Sequence, residues 1–198
     1  MKISMDLVRE LRNKTGAGVM DCKQALLETG GDIQKAQDVL REKGSVGTIK
    51  RSARETKEGL ISSYVHSGSK LGVLLEVNCE TDFVARTSEF SQLAKELAMQ
   101  IAAMDPLWIK PEDVPKEIIE KEKEIYKKQA QESRKPEKII EKIAQGRLEK
   151  YFTQVCLLEQ PYIKDPKLKV QDLLTQTIAK LEENIKVGRF TRFKVGEE

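Results

Sequence analysis

The chain has 198 residues, of which 35 are Lys or Arg and 32 are Asp or Glu, so its formal net charge is only +3. This balance excludes a strongly basic nucleic-acid-binding protein. No apolar run approaches the roughly 20 residues that a membrane-spanning helix needs. Asp6 also follows the start too soon for the apolar core of a secretory signal. We therefore expect a cytoplasmic protein without a membrane span.

The sequence predicts three short helices at its start. Ser4 caps the first helix and Gly16 ends it. The second helix covers Gly18 to Thr29. Asp32 caps the third, for which Gly44 is the predicted stop. Three such helices bury only a modest core, so this segment is too small for a buried active site, but its surface can dock a partner.

The three helices predict a head over residues 1–45. Residues 59–198 are predicted to form an α+β domain, because strand patterns and helical patterns both occur there. Residues 46–58 lack apolar periodicity, and we interpret them as a solvated linker. An RNA-binding role for this linker is the weakest alternative, because no aromatic side chain lies among its basic residues. Those residues are Lys50, Arg51, Arg54 and Lys57.

The hydrophobic period changes to two after the linker, as in β-strands. Residues 60–66 and 71–79 have strand character, and Ser67 to Lys70 can join them as a hairpin. One face of the second strand carries Leu71, Val73, Leu75, Val77 and Cys79. A helix over residues 88–104 follows, with an apolar stripe that can cover the sheet. The stripe consists of Phe90, Leu93, Ala94, Leu97, Ala98 and Ile101.

Three prolines interrupt the helical pattern over residues 105–115, which we predict to be a connector. Between residues 112 and 150, 21 of 39 side chains are charged. This is typical of solvated helices, and we predict a helical protrusion over about 116–150. A further helix is predicted over 170–185, and a closing strand over 187–195.

No catalytic site is evident in the sequence. His66 is the only histidine, and along an extended hairpin it would lie roughly 27 Å from Cys79, at about 3.4 Å per residue. Cys22 and Cys156 lie on apolar helical faces, where buried inert thiols are the better interpretation. The sequence has no phosphate-binding loop of the Gly-Lys-Ser/Thr type. We therefore predict no covalent catalysis, no cofactor and no metal site.

One turn differs from ordinary strand-to-helix connections. Between Cys79 and a helix cap at Thr87 or Ser88 the chain reads ETDFVAR. In one interpretation Phe83 folds beneath the following helix while Asp82 caps the turn. In the other, the two are presented as a wedge, whose ring enters a pocket of a partner and whose carboxylate acts on a charged group there. Spacing and composition leave both open.

Three sequence blocks occur in a distinctive order: LRNKTGAGVMDCK at 11–23, LEVNCETDFVAR at 75–86 and LLEQPYIKD at 157–165. Together they resemble bacterial translation elongation factor Ts. GRFTRF at 188–193 is similar to the closing strand of that family. The resemblance covers essentially the whole chain. It implies an α+β fold with a three-helix head like a ubiquitin-associated domain, an antiparallel-sheet core with covering helices, and a helical protrusion.

The resemblance also implies a function, that of a guanine-nucleotide exchange factor. Such a factor binds elongation factor Tu, disturbs its magnesium site and promotes GDP release, with no cofactor of its own. By match, Asp82 and Phe83 are expected to act on the magnesium site, with Thr81 and Val84 shaping the turn. The head is expected to dock on the nucleotide-binding domain of the partner. Its matched residues are Leu11, Arg12, Gly16, Met20 and Lys23.

The chain resembles the short form of the family, which has one core half instead of two. We expect a homodimer joined partly through C-terminal elements, because the strand over 187–195 would otherwise lack a sheet partner. Contact with a membrane or directly with nucleic acid is not expected. The alternative function is that of a non-exchanging adaptor, which binds proteins through the three-helix head and keeps Phe83 in its core.

Overall fold

The computed structural model describes residues 3–131 and 136–197, without the side chains of Ser45, Ile49 and Lys50. The basic side chain of Lys50 and the tip of the predicted protrusion at 132–135 therefore lie outside the described residues. The helices are α1 (Met5–Thr15), α2 (Val19–Glu28), α3 (Ile33–Arg51), α4 (Asp82–Ala85), α5 (Ser88–Met104), α6 (Lys116–Gln131), α7 (Glu137–Val155) and α8 (Val170–Leu181). The strands are β1 (Glu58–Val65), β2 (Leu71–Cys79), β3 (Pro161–Tyr162), β4 (Asp165–Lys169) and β5 (Lys186–Lys194).

This mixture of helices and antiparallel strands confirms the predicted α+β class. The chain divides into two compact units. The first consists of the described residues up to Ile61 with Glu76–Ala94 and Asp172–Gly188. The second consists of Ser62–Leu75, Lys95–Gln171 and the described residues from Arg189 onward. None of the described helices is long and apolar enough to cross a membrane.

The head begins the first unit, and three of its helix ends lie where the sequence predicts them. The Ser4 side chain accepts a hydrogen bond from the Leu7 amide at 3.3 Å and caps α1. Gly16 follows α1 with a left-handed φ of 68°, and Asp32 accepts from the Lys35 amide at 3.1 Å at the start of α3. The buried core of the head consists of Val8, Leu11, Cys22, Ala25, Leu26 and Ala36.

The prediction that Gly44 ends the third helix is wrong. α3 continues to Arg51, so the predicted linker is helical in its first part. A Cβ placed on Gly44 would lie 3.3 Å from the Cβ of Ala179 on α8. The missing side chain therefore allows two helices to approach closely within the first unit, and the glycine does not act as a stop.

The central sheet has the strand order β1-β2-β5. The His66 amide donates to the Leu71 carbonyl at 2.9 Å and closes the predicted hairpin. The inner face of β2 is buried from Val73 to Cys79, and every residue of the predicted α5 stripe is buried. Because β5 lies next to β2 of the same chain, the prediction that the closing strand lacks a partner is wrong.

The second unit contains α6 and α7, the two helices of the predicted protrusion, and a buried polar pair. Gln100 and Gln160 are both fully buried. Gln100 Nε2 donates to Gln160 Oε1 at 3.1 Å and to the Pro161 carbonyl at 3.2 Å. Gln160 Nε2 donates to the carbonyls of Met104 at 3.3 Å and Gln154 at 2.9 Å. These hydrogen bonds offset the cost of burying two amides.

The closest backbone approach in β1 gives a stability prediction. Gly59 has a φ of 151°, and a Cβ placed on it would lie 2.2 Å from the Val77 carbonyl oxygen. Gly59→Ala must strain or displace that contact, so the free energy of unfolding should fall by about 2 kcal/mol or more. Urea denaturation followed by circular dichroism measures the change.

Gly146→Ala is the matched control for that experiment. Gly146 lies inside α7, and an added Cβ there meets no atom within 4 Å. Since alanine favours helix, this variant should gain about 0.5–1 kcal/mol of stability. If Gly59→Ala proved as stable as Gly146→Ala, the close contact between β1 and β2 would be contradicted.

Candidate protein-interaction site

The turn after β2 presents an aromatic ring to solvent. Thr81 is extended, and its Oγ1 accepts the Val84 amide at 3.4 Å, which starts the single-turn helix α4. Phe83 is 80% exposed, whereas Phe90 is fully buried. The interpretation in which Phe83 folds beneath the following helix is therefore wrong, and the cap of the turn is Thr81, not Asp82. Phe90, and not Phe83, is the phenylalanine of this segment that is buried in the core.

Asp82 precedes the exposed Phe83, and among the described residues its ionic partner is Arg86. Its Oδ2 is 2.8 Å from Nη2 of Arg86, and the two side chains are 46% and 79% exposed. Such a solvent-screened pair contributes about 0–1 kcal/mol. The carboxylate is thus available to a stronger cation, and the site combines an apolar group with an exchangeable negative charge.

A residue that the sequence analysis missed holds this turn. The Glu183 carboxylate accepts three hydrogen bonds: from the Glu80 amide at 3.1 Å, the Thr81 amide at 3.0 Å and Thr81 Oγ1 at 2.5 Å. No local pattern points to Glu183, because it lies 102 residues beyond Thr81. Only the position of the end of α8 beside the turn, within the first unit, reveals it.

The predicted docking residues of the head differ in accessibility. Arg12, Gly16, Met20 and Lys23 are exposed, and Met20 has 73% of its surface free. Leu11 is fully buried in the core of the head. The prediction that Leu11 contacts a partner is therefore wrong: its apolar side chain packs inward with the helix face to which its spacing assigns it.

The chemistry of an enzyme site is not apparent in the described part of the chain. Among these residues no three His, Cys, Asp or Glu side chains are grouped to hold a metal ion. A cleft of about 270 Å³ lies between the head and α8 within the first unit. Two of its lysines are already paired, Lys14 with Glu10 at 2.8 Å and Lys180 with Glu89 at 3.3 Å. Both lysines that line the cleft therefore already have a carboxylate partner.

The three cysteines are free and buried, which confirms the predicted burial of Cys22 and Cys156. Burial raises the pKa of all three thiols, and it raises those of Cys79 and Cys156 from 9.0 to about 11. The thiol of Cys79 also donates to the Thr81 carbonyl at 3.1 Å. These thiols are neutral at pH 7, and the one nearest the turn has a structural role.

Comparisons with known proteins match the chain over nearly its full length. The sequence model of the family described as Elongation factor TS matches residues 5–197. A relative named Elongation factor Ts, from Thermotoga petrophila, is 59% identical over 197 residues, which cover 100% of this chain and 98% of the relative. The protein of that name from Thermodesulfovibrio yellowstonii is 57% identical over 197 residues, with the same coverage. The one from Anaeromyxobacter sp. strain K is 56% identical over 196 residues, which cover 99% and 90%.

The buried thiols predict slow chemical labelling. At pH 7 none of the three should react with a thiol reagent within minutes, whereas all three should react after unfolding in guanidinium. The raised pKa of Cys79 and Cys156 favours their neutral thiols in the folded state. Their contribution to the stability of the fold is therefore present below pH 9.0 and is lost as the pH rises towards 11. Rapid labelling of Cys79 at pH 7 would contradict its burial.

Proposed function

Because this chain belongs to the elongation factor Ts family, we propose that its Asp82–Phe83 pair drives the displacement step of nucleotide exchange. The chain is a guanine-nucleotide exchange factor for elongation factor Tu in translation elongation. The observation that carries the proposal is the Phe83 ring, 80% exposed beside a carboxylate. An isolated protein gains nothing from such exposure, whereas a partner pocket can bury the ring.

The two side chains act in different ways. Burying a phenylalanine in an apolar pocket yields about 1.5–3 kcal/mol, which favours insertion of Phe83. The Asp82 carboxylate, which is free to leave Arg86, brings a negative charge towards the magnesium of the partner. Magnesium offsets the charge of the GDP phosphates, so its displacement weakens GDP binding without any contact to the base. Thr81 and Val84 keep the pair in position.

Linkage makes this insertion sufficient for exchange. Suppose that the turn binds nucleotide-free elongation factor Tu more tightly than the GDP-bound form. Bound GDP then lowers the affinity for the exchange factor, and the bound exchange factor lowers the affinity for GDP by the same ratio. This differential affinity is all that release requires. Exchange then makes and breaks no covalent bond, and the chain is not an enzyme in the covalent sense.

The head provides the second contact in our proposal. Arg12, Gly16, Met20 and Lys23 form its docking residues, with Leu11 as internal support. Exposed Met20 is a flexible apolar group suited to an interface. Within the described part of the chain, no salt bridge is formed by Arg12 or Lys23, so both charges remain available to acidic groups of the nucleotide-binding domain.

We also propose a homodimer. Its proposed interface is one face of the central sheet, in place of the C-terminal elements expected from the sequence. Side chains alternate along paired strands, so the His66–Leu71 hydrogen bond places Val65 and Leu74 on the face opposite the buried one. These two residues are 63% and 49% exposed. The edge strand β5 carries several Lys and Arg residues, which discourage pairing edge to edge. A second copy that covers the apolar face is the better arrangement.

The cytoplasm is the proposed compartment, because translation elongation takes place there. The proposed partner is elongation factor Tu. GDP and magnesium are bound by that partner and not by this chain. Neither a membrane nor direct contact with nucleic acid is part of the proposal.

Removal of the ring tests the proposed exchange mechanism. With fluorescent GDP on elongation factor Tu, Phe83→Ala should reduce the accelerated release by about ten- to thirtyfold, since anchor residues contribute about 1.4–2 kcal/mol. Asp82→Asn should also reduce it, but less. Leu107→Ala is the control, because Leu107 is 61% exposed and lies outside both proposed contacts; it should leave release unchanged.

The adaptor function predicts a different result. A non-exchanging adaptor would bind its protein partner through the head, and then neither the wild type nor Phe83→Ala would accelerate GDP release from elongation factor Tu. Equal thermal denaturation curves for Phe83→Ala and the wild type would show that the fold is intact. If Phe83→Ala accelerated GDP release as much as the wild type does, the proposed role of the ring would be refuted.

The dimer proposal predicts a change in sedimentation. The wild type should sediment as a dimer at micromolar concentration, and Leu74→Lys should shift it to a monomer, because a charge in a buried apolar interface is costly. Lys70→Glu, at the tip of the hairpin, is the control for charge alone. A monomeric wild type at that concentration would rule out the dimer.

A further inference from the structure

We propose that Glu183 is a positioning residue that holds the Asp82–Phe83 turn ready for insertion, an inference that rests on the proposed function of that turn. Glu183 does not touch the partner in this account. It acts through the three hydrogen bonds that its carboxylate accepts from the backbone and side chain at the start of the turn.

The carboxylate sets the conformation of the turn through Thr81. The Thr81 hydroxyl donates to Glu183 Oε1 at 2.5 Å and accepts the Val84 amide at 3.4 Å. Its only proton is thus directed to Glu183, which leaves a lone pair for the amide that begins α4. Hydrogen bonds to an ionised acceptor are roughly twice as strong as neutral ones. The orientation of the hydroxyl, and with it the start of α4, therefore depends on Glu183.

The residues next to Glu183 and Thr81 are also hydrogen-bonded, with donor and acceptor on the opposite segments. The Asn184 amide donates to Glu80 Oε1 at 2.6 Å, while the Glu80 amide donates to Glu183. Asn184 is buried, with 2% of its surface exposed, and its side chain donates to the Arg54 carbonyl at 2.7 Å. Arg54 Nη1 in turn lies 3.3 Å from Glu80 Oε1. Three segments distant in sequence are thereby joined at the base of the turn.

A backbone feature places Glu183 at this point. α8 ends at Leu181, and Glu182 takes a left-handed φ of 59°, which is uncommon for a residue with a side chain. The helix does not continue through this residue, and the carboxylate of the next residue accepts the amides of the turn. The surrounding hydrogen bonds stabilise this conformation.

The expected consequence is kinetic. Without Glu183 the turn samples conformations that cannot insert, and the rate of the insertion step falls in proportion to the fraction of time that the turn remains competent. Docking through the head does not involve Glu183. Loss of the Glu183 carboxylate should therefore lower the maximal rate of GDP release. The concentration of exchange factor that gives half-maximal release should remain nearly unchanged.

The experiment titrates elongation factor Tu, loaded with fluorescent GDP, with the full-length protein. Glu183→Ala should lower the maximal release rate about tenfold and change the half-saturating concentration less than about twofold. Glu183→Gln keeps an oxygen acceptor and should restore at least half of the wild-type rate. Glu89→Ala is the matched control, since it removes the ion pair between α8 and α5 without touching the turn; it should behave as wild type.

Hydrogen exchange of the amides measures the proposed intermediate effect. Those of residues 80–84 should exchange faster in Glu183→Ala than in the wild type, and those of β2 should not. If Glu183→Ala is too unstable, a double-mutant cycle of Thr81→Val with Glu183→Met replaces it, because methionine removes both acceptor oxygens but keeps the length of the side chain. The two changes should then be clearly non-additive, because they disrupt one hydrogen bond.

The two proposals fail in different ways. A wild-type maximal rate in Glu183→Ala, with Phe83→Ala still defective, would overturn the positioning role and leave the wedge intact. Additive effects in the cycle would do the same. If Phe83→Ala also released GDP at the wild-type rate, the function of the turn itself would be wrong.

Discussion

An aromatic side chain held in water needs a support that prevents it from collapsing onto its own protein. In this chain the support is the hydrogen bonding of the Glu183 carboxylate to the turn that carries Phe83. The ring cannot use the driving force that orders most side chains, burial from water. The order of the turn must come from polar contacts, and a buried residue, Asn184, anchors these contacts in the first unit.

This arrangement separates the task of folding from the task of binding. Phe90 and the other residues of the α5 stripe are part of the buried core, so under the proposed function substitutions of Phe83 weaken binding while the core stays intact. The single-turn helix α4 makes few demands on its side chains, because Thr81 and Glu183 fix its start from outside. An interface built this way presents its anchor at little entropic cost when the partner arrives.

Much of the fold could be predicted from the sequence, because local rules govern it. Ser4, Gly16 and Asp32 marked helix ends through capping chemistry, and the alternation along β2 gave its buried face. The structure differs from the prediction at Gly44, because a glycine that permits close packing against Ala179 looks in sequence like one that ends a helix. The partner of β5 was also missed, since pairing with β2 depends on the path of the whole chain.

The candidate site was only partly readable for the same reason. The unusual turn sequence pointed to Asp82 and Phe83, but spacing could not decide whether the ring lies inside or outside. Leu11 matched the family motif as firmly as Met20, and only burial separates the core residue from the exposed one. Glu183 left no local pattern at all, because it acts across 102 residues.

The most direct test of the account uses magnesium itself. GDP release from elongation factor Tu should be measured with the wild type and with Phe83→Ala, once in millimolar magnesium and once in excess EDTA. If the turn acts by displacing the ion, the advantage of the wild type should be large with magnesium and should nearly vanish in EDTA, where no ion remains to be moved. An advantage of equal size under both conditions would contradict the central claim.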